Sequence, residues 1–407
     1  MLAPESDRWQ VLVATFADRA RRFGFGLCLT PVYEHVEVFK RVGETTDVVS
    51  KEMYEFEDKG GRRLALRPEG TASVVRAFVQ HRPVTPWKAW YVAPNFRHEK
   101  PQKGRYRQHW QVGVEVLGVD DPGVDVEVIA LAAGFFRDLG LSRVRLLLNS
   151  MGDEASRVRY REVLLAHLRA HADVIGADMA RAEANPLRML DSTRADWRDL
   201  LESAPQLGEY LTEESATHFE RVQEGLQAVG IEFEIAPRLV RGFDYYTGTT
   251  FEFQSEALDA AQNAIGGGGR YDKLAEEMGG PPTPGIGFGI GIERVLIACD
   301  SEGALRAATS RSEVYVIDAL GGTAATVLTH ELREAGIATD RAFGGRSVKK
   351  QWSAADKSGA RHGVMLAPRE WEREHVLVKD LQTGEQVEVR RREVTAWLLT
   401  RRESEQR

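Results

Sequence analysis

The feature that most constrains this sequence is the stretch of residues 95–115, NFRHEKPQKGRYRQHWQVGVE. Its two ends read as strands, and residues 100–104 between them supply the Pro and Gly that a long hairpin connection needs. The returning strand alternates between a polar or small face and an apolar face, namely Gln111, Gly113 and Glu115 against Val112 and Val114. The hairpin therefore predicts a sheet that packs on a core on one side and meets a ligand on the other.

The same hairpin is rich in cations. A guanidinium presents fixed donors in a fork that suits phosphate oxygens. The basic residues concerned are Arg97, Lys103, Arg105 and Arg107. The alternative is a solvated basic hairpin, which would have no need of Gln111 and Glu115 on one face of a long strand.

A polar group also lies at residues 68–71, PEGT, between a predicted strand at 64–67 and a predicted helix at 72–80. Such junctions are common places for binding sites. Thr71 is expected to cap the helix, which leaves Glu69 without an obvious structural purpose.

Two further stretches are informative. The second half of residues 239–254, LVRGFDYYTGTTFEFQ, alternates as a strand. Its first half places Arg241 beside Tyr245 and Tyr246, and an arginine in a sheet is rarely core filler because buried arginine needs a partner. The four glycines 266–269 are interpreted as a turn whose backbone comes close to a substrate.

Residues 284–296, PGIGFGIGIERVL, predict a glycine-rich strand that enters a helix. Glycine at every second position would leave one strand face free of side chains, with room for a flat ring. Arg294 falls in the first turn of the helix, where the helix dipole disfavours a cation. We therefore expect Arg294 to meet an anion.

Length and composition fit an enzyme of two or three domains. The chain has 407 residues, of which 43% are hydrophobic and 28% charged. Its net charge of −7 does not exclude nucleic-acid binding where basic residues cluster. Cys28 and Cys299 predict neither a disulfide framework nor a thiolate metal site. A signal peptide and a membrane-spanning run of roughly 18 apolar residues are both lacking, which predicts a cytoplasmic protein with no membrane partner.

The remainder of the chain completes the expected organisation. Residues 6–25 predict an amphipathic helix that leads into a strand at 27–33, and residues 155–229 are mostly helical. A boundary is predicted at 304–311, after which strands and helices alternate as in a small α/β domain. The basic residues of that domain form either a solvated face or a nucleic-acid surface: Arg346, Lys349, Lys350, Lys357 and Arg361.

These stretches together resemble the histidyl-tRNA synthetases, a family of class II aminoacyl-tRNA synthetases. Residues 96–111 resemble motif 2 of the class, 284–296 motif 3, 6–33 motif 1, 241–253 the histidine-specific segment and 343–361 the anticodon-binding domain. The fold implied is α+β, with a class II antiparallel sheet flanked by helices, a helical insertion and a C-terminal α/β anticodon-binding domain. The implied bounds are 1–154 and 230–303 for the catalytic domain, 155–229 for the insertion and 312–407 for the anticodon-binding domain.

The resemblance implies a site for ATP. Arg97 would hold the α-phosphate and the substrate carboxylate, and Arg241 would stabilise the transferring phosphate from the opposite side. Arg105 and Arg294 would hold the β- and γ-phosphates. Glu99 would accept from the adenine amino group, and His109 would stack on the ring at a position where the family usually has Phe. The phosphates imply Mg²⁺, although the sequence names no metal ligand.

The resemblance also implies a histidine site. Glu69, Gly70 and Thr71 would hold the α-amino group, and Gln111 the carboxylate. Glu115 and Tyr246, with Tyr245 nearby, would pair with the two imidazole nitrogens, one a donor and the other an acceptor. A segment like motif 1 implies a homodimer, although an ordinary core helix and strand would fit the same residues.

The implied activity converts L-histidine and ATP to histidyl-adenylate and transfers histidine to the 3′ end of tRNA(His). The main alternative is an inactive synthetase-like regulatory subunit of ATP phosphoribosyltransferase, which by family resemblance lacks the anticodon domain and loses site residues. A synthetase for another amino acid and a tRNA-binding module with a retired site are further alternatives.

Overall fold

The computed structural model describes residues 1–41, 43, 47–99, 104–190, 192, 194–240, 245–259, 263–305 and 312–405. The chain divides into two compact units, Met1–Arg306 and Ala307–Arg407. Each unit has its own sheet and its own hydrophobic core.

The strands of the described residues are numbered in chain order. They are β1 (Gly26–Leu27), β2 (Tyr33–His35), β3 (Glu55–Glu57), β4 (Arg63–Leu66), β5 (Trp87–Phe96), β6 (Gln108–Leu117), β7 (Val144–Ser150), β8 (Glu234–Ile235), β9 (Thr247–Ser255), β10 (Ala264–Arg270), β11 (Gly285–Gly291), β12 (Val314–Asp318), β13 (Thr339–Arg341), β14 (His362–Leu366), β15 (His375–Asp380) and β16 (Gln386–Arg390).

The α-helices of the same residues are numbered in the same way. They are α1 (Glu5–Arg22), α2 (Val36–Lys40), α3 (Asp47–Ser50), α4 (Thr71–His81), α5 (Pro122–Asp138), α6 (Glu154–Ala170), α7 (Ala172–Ile175), α8 (Met179–Ala184), α9 (Arg198–Glu202), α10 (Glu213–Ala228), α11 (Leu274–Glu277), α12 (Ile292–Glu302), α13 (Ala324–Glu334), α14 (Val348–Ser358), α15 (Pro368–Glu372) and α16 (Val394–Glu405).

The first unit is built on an eight-stranded sheet in the order β1-β5-β6-β11-β10-β9-β7-β8. The six inner strands β5, β6, β11, β10, β9 and β7 pair antiparallel in that order. The short outer strands β1 and β8 pair parallel with their neighbours. A second, three-stranded sheet has the order β2-β4-β3. The predicted antiparallel α+β architecture is confirmed.

Helices α1, α5 and α12 contribute to the main core, which covers one face of the large sheet. Phe16 of α1 packs edge-on against Phe135 and Phe288, with ring centroids 5.0 and 6.1 Å away. Val112 and Val114 of β6 lie in this core. The alternation predicted for β6 is therefore confirmed, because its polar positions face the opposite side of the sheet.

The four glycines 266–269 do not form a turn, so that prediction is wrong. They lie in β10, which pairs antiparallel with β9 and β11 on either side. A Cβ at Gly268 would collide with the carbonyl oxygen of Gly287 on the neighbouring strand. The glycines are needed because the strands approach closely, not because the chain reverses.

The span 155–229 is mostly helical, as predicted, and it contributes to two cores. Tyr160, Leu164 and Leu168 of α6 pack in a core shared with α4. Val222 and Leu226 of α10 belong to the main core. The treatment of this span as a separate insertion domain remains a prediction.

The second unit has a five-stranded sheet in the order β13-β12-β14-β15-β16. Strands β13, β12 and β14 are parallel, and β15 and β16 form the predicted hairpin. Leu328 and Leu332 of α13 pack in its core. No helix in the described part of the chain is both long and apolar enough to cross a membrane.

Candidate active site

A cavity of about 420 Å³ opens on the face of the large sheet opposite Val112 and Val114. It is bordered by strands β5, β6, β9, β10 and β11 and by the segments that flank them. Most of the predicted site residues line it, namely Glu69, Thr71, Arg97, Glu99, Arg105, His109, Gln111, Tyr245, Tyr246 and Arg294. Gly70 and Glu115 lie behind its wall, and Arg241 falls outside the described residues.

The N-cap residue of helix α4 is Gly70, not Thr71, so the predicted cap is wrong, and the side chain of Glu69 satisfies the first backbone N–H groups of the helix. One oxygen of the Glu69 carboxylate accepts from the Thr71 backbone N–H and the other from the Ala72 N–H, both at 2.7 Å. The Thr71 hydroxyl donates instead to Oε1 of Glu115 at 2.7 Å. Burial raises the pKa of Glu69, and the two backbone donors oppose that rise. This arrangement fixes the carboxylate at the helix N-terminus, where the helix dipole favours negative charge.

Glu115 is completely buried beneath this segment. Its carboxyl group accepts from the hydroxyls of Thr71 and Tyr271, and the Tyr91 hydroxyl is hydrogen-bonded to it as well. Burial raises the pKa of Glu115 to about 8, and these hydroxyl donors only partly offset the rise. The group therefore holds a proton near neutral pH, and a ligand that carries positive charge or donates a hydrogen bond to it favours loss of that proton to solvent.

Tyr91 is a residue of the cavity that the sequence did not reveal. Its ring lies between Gly70 and Gly113, and a Cβ at either glycine would collide with it. Gly70 therefore makes room for the tyrosine that supports Glu115. The role of Tyr91 in packing becomes evident only from the contact between β5 and the segment before α4.

Three arginines, Arg97, Arg105 and Arg294, line the same cavity. The Nε of Arg97 donates to the carbonyl oxygen of Pro68 at 2.9 Å. Arg294 donates to the carbonyl oxygens of Gly104 at 3.2 Å and Ala264 at 2.7 Å. Burial lowers the pKa of Arg294, and the charges of Arg105 and Arg97 lower it further. Cations held together in this way favour an anionic ligand.

Glu99 lies between two of these arginines. Its carboxylate is 3.6 Å from Arg105 and 3.9 Å from Arg97. It partly balances their charge, and it remains on the cavity wall where a ligand can reach it.

His109 and Trp110 face opposite sides of β6. His109 lines the cavity, and Trp110 packs edge-on against Trp9 with ring centroids 5.3 Å apart. Burial lowers the pKa of His109 to about 4, and the Arg97 charge contributes. A neutral flat ring therefore faces the cavity beside the glycine-lined strands β10 and β11.

Several cavity residues were not identified from the sequence: Glu52, Tyr106, Arg188, Glu252 and Glu293. Glu293 could have been suspected because it precedes Arg294, and its carboxylate accepts from the Trp110 N–H at 2.9 Å. Arg188 comes from the 3₁₀ turn Pro186–Met189, for which the sequence offered no signal. Within the described ranges, no group of three or more His, Cys, Asp or Glu side chains is placed to hold a metal ion.

An antiparallel sheet that carries a motif 2 hairpin, with arginines around a cavity floored by a glycine strand, defines a class II aminoacyl-tRNA synthetase catalytic domain. The family model described as histidyl-tRNA synthetase matches residues 1–295, and that of the anticodon binding domain matches residues 313–401. The chain belongs to the histidyl-tRNA synthetase family.

Relatives and a solved structure agree with this placement. A histidine–tRNA ligase of Bacillus velezensis is 45% identical over 399 residues, which cover 96% of this chain and 94% of the relative. A histidine–tRNA ligase of Geobacillus thermodenitrificans is 45% identical over an alignment of 416 positions, which covers 100% of this chain and 97% of the relative. The crystal structure of apo S. aureus histidyl-tRNA synthetase matches with a TM-score of 0.82 and 33% identity, covering 98% of this chain and 97% of that one.

Proposed function

We propose that this protein is a histidine–tRNA ligase. The histidine carboxylate attacks the α-phosphorus of ATP, pyrophosphate leaves, and histidyl-adenylate remains. A ribose hydroxyl at the 3′ end of tRNA(His) then attacks the adenylate carbonyl, and AMP leaves. The observation that carries the proposal is one cavity lined by three arginines, with carboxyl and hydroxyl groups in its wall or buried directly behind it.

In this proposal the three arginines of the cavity hold ATP. Charge develops on phosphate oxygens during the transfer, so positioning and cationic stabilisation supply most of the catalysis. Arg97 binds the α-phosphate and the substrate carboxylate, with Arg241 opposite. Arg105 and Arg294 bind the β- and γ-phosphates. His109 stacks on adenine, whose amino group donates to Glu99.

The carboxyl and hydroxyl groups hold histidine. The carboxylate oxygens of Glu69 retain acceptor capacity for the α-ammonium after accepting the two backbone N–H groups. Gln111 binds the substrate carboxylate. Glu115, which is fully buried in the structure described, becomes accessible when histidine binds and pairs with one imidazole nitrogen. Tyr246 pairs with the other, with Tyr245 beside it.

Mg²⁺ fits the oxygen-rich lining of the cavity. Glu252 and Glu293 line it and are ligands of the kind that Mg²⁺ takes together with phosphate oxygens and water. We propose that these residues hold the ion, which would neutralise charge on the phosphates.

The tRNA is proposed to contact the helical span 155–229 and the domain 312–407. Arg346, Lys349, Lys350 and Lys357 are exposed in that domain, whereas Arg361 forms an ion pair with Asp380 at 2.7 Å. The exposed cations suit the phosphate backbone of RNA. As a ligase serving translation, the protein is proposed to work in the cytoplasm.

The regulatory-subunit alternative is disfavoured. Arg97, Arg105 and Arg294 all line the cavity, and the chain has the anticodon-binding domain. The relatives that match over nearly the whole chain are named histidine–tRNA ligases.

The test is ATP–pyrophosphate exchange with each of the twenty amino acids in turn. We expect exchange with histidine alone, because a pocket built to pair both imidazole nitrogens rejects side chains that lack them. Charging of tRNA(His) would follow. Absence of exchange with every amino acid would reject the ligase assignment and favour the regulatory one.

A homodimer is proposed through the surface around β1, β2 and β3. Large apolar side chains are exposed there, including Leu27, Leu29 at 75% exposure, Tyr33 and Phe56. The rings of Tyr33 and Phe56 are in contact, with centroids 6.2 Å apart, and exposed apolar side chains grouped in this way mark an interaction site.

Replacing Leu29 by glutamate should convert the dimer to a monomer, because a buried unpaired carboxylate is costly at an interface. Sedimentation velocity at micromolar concentration measures this. The matched control is Val158→Glu, on the outer surface of α6, where the valine is 55% exposed. Equal sedimentation of Leu29→Glu and the unmodified chain would place the interface elsewhere.

A further inference from the structure

Two side-chain amides meet at the edge of the cavity. Asn95 of β5 is fully buried, and its Nδ2 donates to Oε1 of Gln111 on β6 at 2.6 Å. Gln111 pairs with Ala93 across the two strands, so Asn95 is its diagonal neighbour on the same face of the sheet.

The contact determines which end of the Gln111 amide is available. A glutamine side chain has an acceptor oxygen and a donor NH₂ group. Because Asn95 donates to the oxygen, the NH₂ group is the end left for a ligand in the cavity. A carboxylate accepts hydrogen bonds and cannot donate one when ionised, so it binds only to that end.

We infer that Asn95 is a positioning residue that orients Gln111 to donate to the carboxylate of histidine. The inference rests on the proposed function and extends it to a residue behind the cavity wall. Asn95 does not line the cavity, so it acts through Gln111 alone.

A second observation separates this role from a purely structural one. The Oδ1 of Asn95 is buried without a hydrogen-bond partner in the described structure. A buried unpaired acceptor destabilises a fold, and an apolar side chain of similar size would remove that cost. The asparagine is therefore a poor choice for packing and a good one for orienting Gln111.

The test compares histidine with histidinol, which carries the same imidazole and ammonium but lacks the carboxylate. We expect Asn95→Leu to weaken histidine binding about tenfold, the loss expected for one hydrogen bond of this kind. Histidinol binding and the KM for ATP should stay unchanged. The melting temperature should not fall, and it should rise if the unpaired Oδ1 of Asn95 is costly. Calorimetric titration and pyrophosphate exchange measure these quantities.

Asn95→Asp provides the second variant. An aspartate accepts from the Gln111 NH₂ group and turns the amide oxygen toward the substrate carboxylate, so histidine should bind still more weakly than to Asn95→Leu. In a Gln111→Leu background, Asn95→Leu should have no further effect on histidine.

Unchanged histidine binding in both Asn95 variants would overturn the inference, and so would equal losses of histidine and histidinol. Failure of the proposed function is a separate result, because the unmodified chain would then show no histidine-dependent exchange.

Discussion

Replacing Arg97 by alanine should lower histidine-dependent pyrophosphate exchange by about 10²–10³-fold, the usual loss when one preorganised donor to a developing charge is removed. The effect should fall mainly on kcat, because charge on the α-phosphate oxygens is greatest in the transition state. The guanidinium is already held by the carbonyl oxygen of Pro68, so it needs little rearrangement to act. Steady-state exchange with varied ATP and histidine separates kcat from KM.

Arg107→Ala is the matched control for Arg97→Ala. Arg107 belongs to the same hairpin and carries the same charge, but it is exposed and lies outside the cavity lining. We expect its loss to change exchange by less than about threefold, as for a surface charge. Arg97→Lys should recover only part of the rate, because lysine lacks the bidentate fork. Similar losses in Arg97→Ala and Arg107→Ala would refute a specific role for Arg97.

Replacing Glu115 by glutamine should make the protein more stable at alkaline pH while it impairs histidine binding. The pKa of this carboxyl group is about 8 in the folded protein, against an ordinary value of 4.5. Between these values the folded state keeps a proton that the unfolded state has released. Stability of the unmodified protein therefore falls as pH rises from about 4.5 to 8. Glutamine has no such proton to lose.

Thermal melts without histidine at pH 5, 7 and 8.5 test this expectation. The melting temperature of Glu115→Gln should exceed that of the unmodified protein by on the order of 5 °C at pH 8.5, and the gap should narrow toward pH 5. Other titrating groups are common to both proteins and cancel in the difference. A gap independent of pH would show that Glu115 does not titrate in this range.

The affinity for histidine, measured at two pH values, tests the role of the same ionisation in substrate binding. The imidazole N–H of histidine needs ionised Glu115 as its acceptor, so the affinity of the unmodified protein should rise about fivefold between pH 7 and 8, in step with the ionised fraction of Glu115. The affinity of Glu115→Gln should be weaker and nearly independent of this ionisation. Titration calorimetry at both pH values measures the difference.

The side chains that strand β6 directs toward the cavity were predictable from the sequence, because side chains along a strand point to alternate faces with a period of two residues. Gln111 and Glu115 could be separated from Val112 and Val114 by alternation alone. The motif 3 strand and helix were likewise predictable, since glycine alternation is visible in the chain.

Other features depend on contacts between distant segments, which periodicity does not report. The β10 glycines have no side-chain pattern, and only the close approach of β9 and β11 makes them a strand. The capping role of Glu69 depends on where α4 begins. The burial of Glu115 depends on Tyr91 and Tyr271, which lie on other parts of the sheet.

The position of Glu115 has a consequence for redesign. Gly287 lies against its carboxyl group so closely that a Cβ there would collide with it, and Tyr271 is bonded to it from another side. A mutant library restricted to the cavity surface would therefore leave the proposed imidazole-reading group in place. Changing the amino acid that this enzyme accepts would require replacing Glu115 together with the groups packed against it, which are Tyr91, Tyr271 and Gly287.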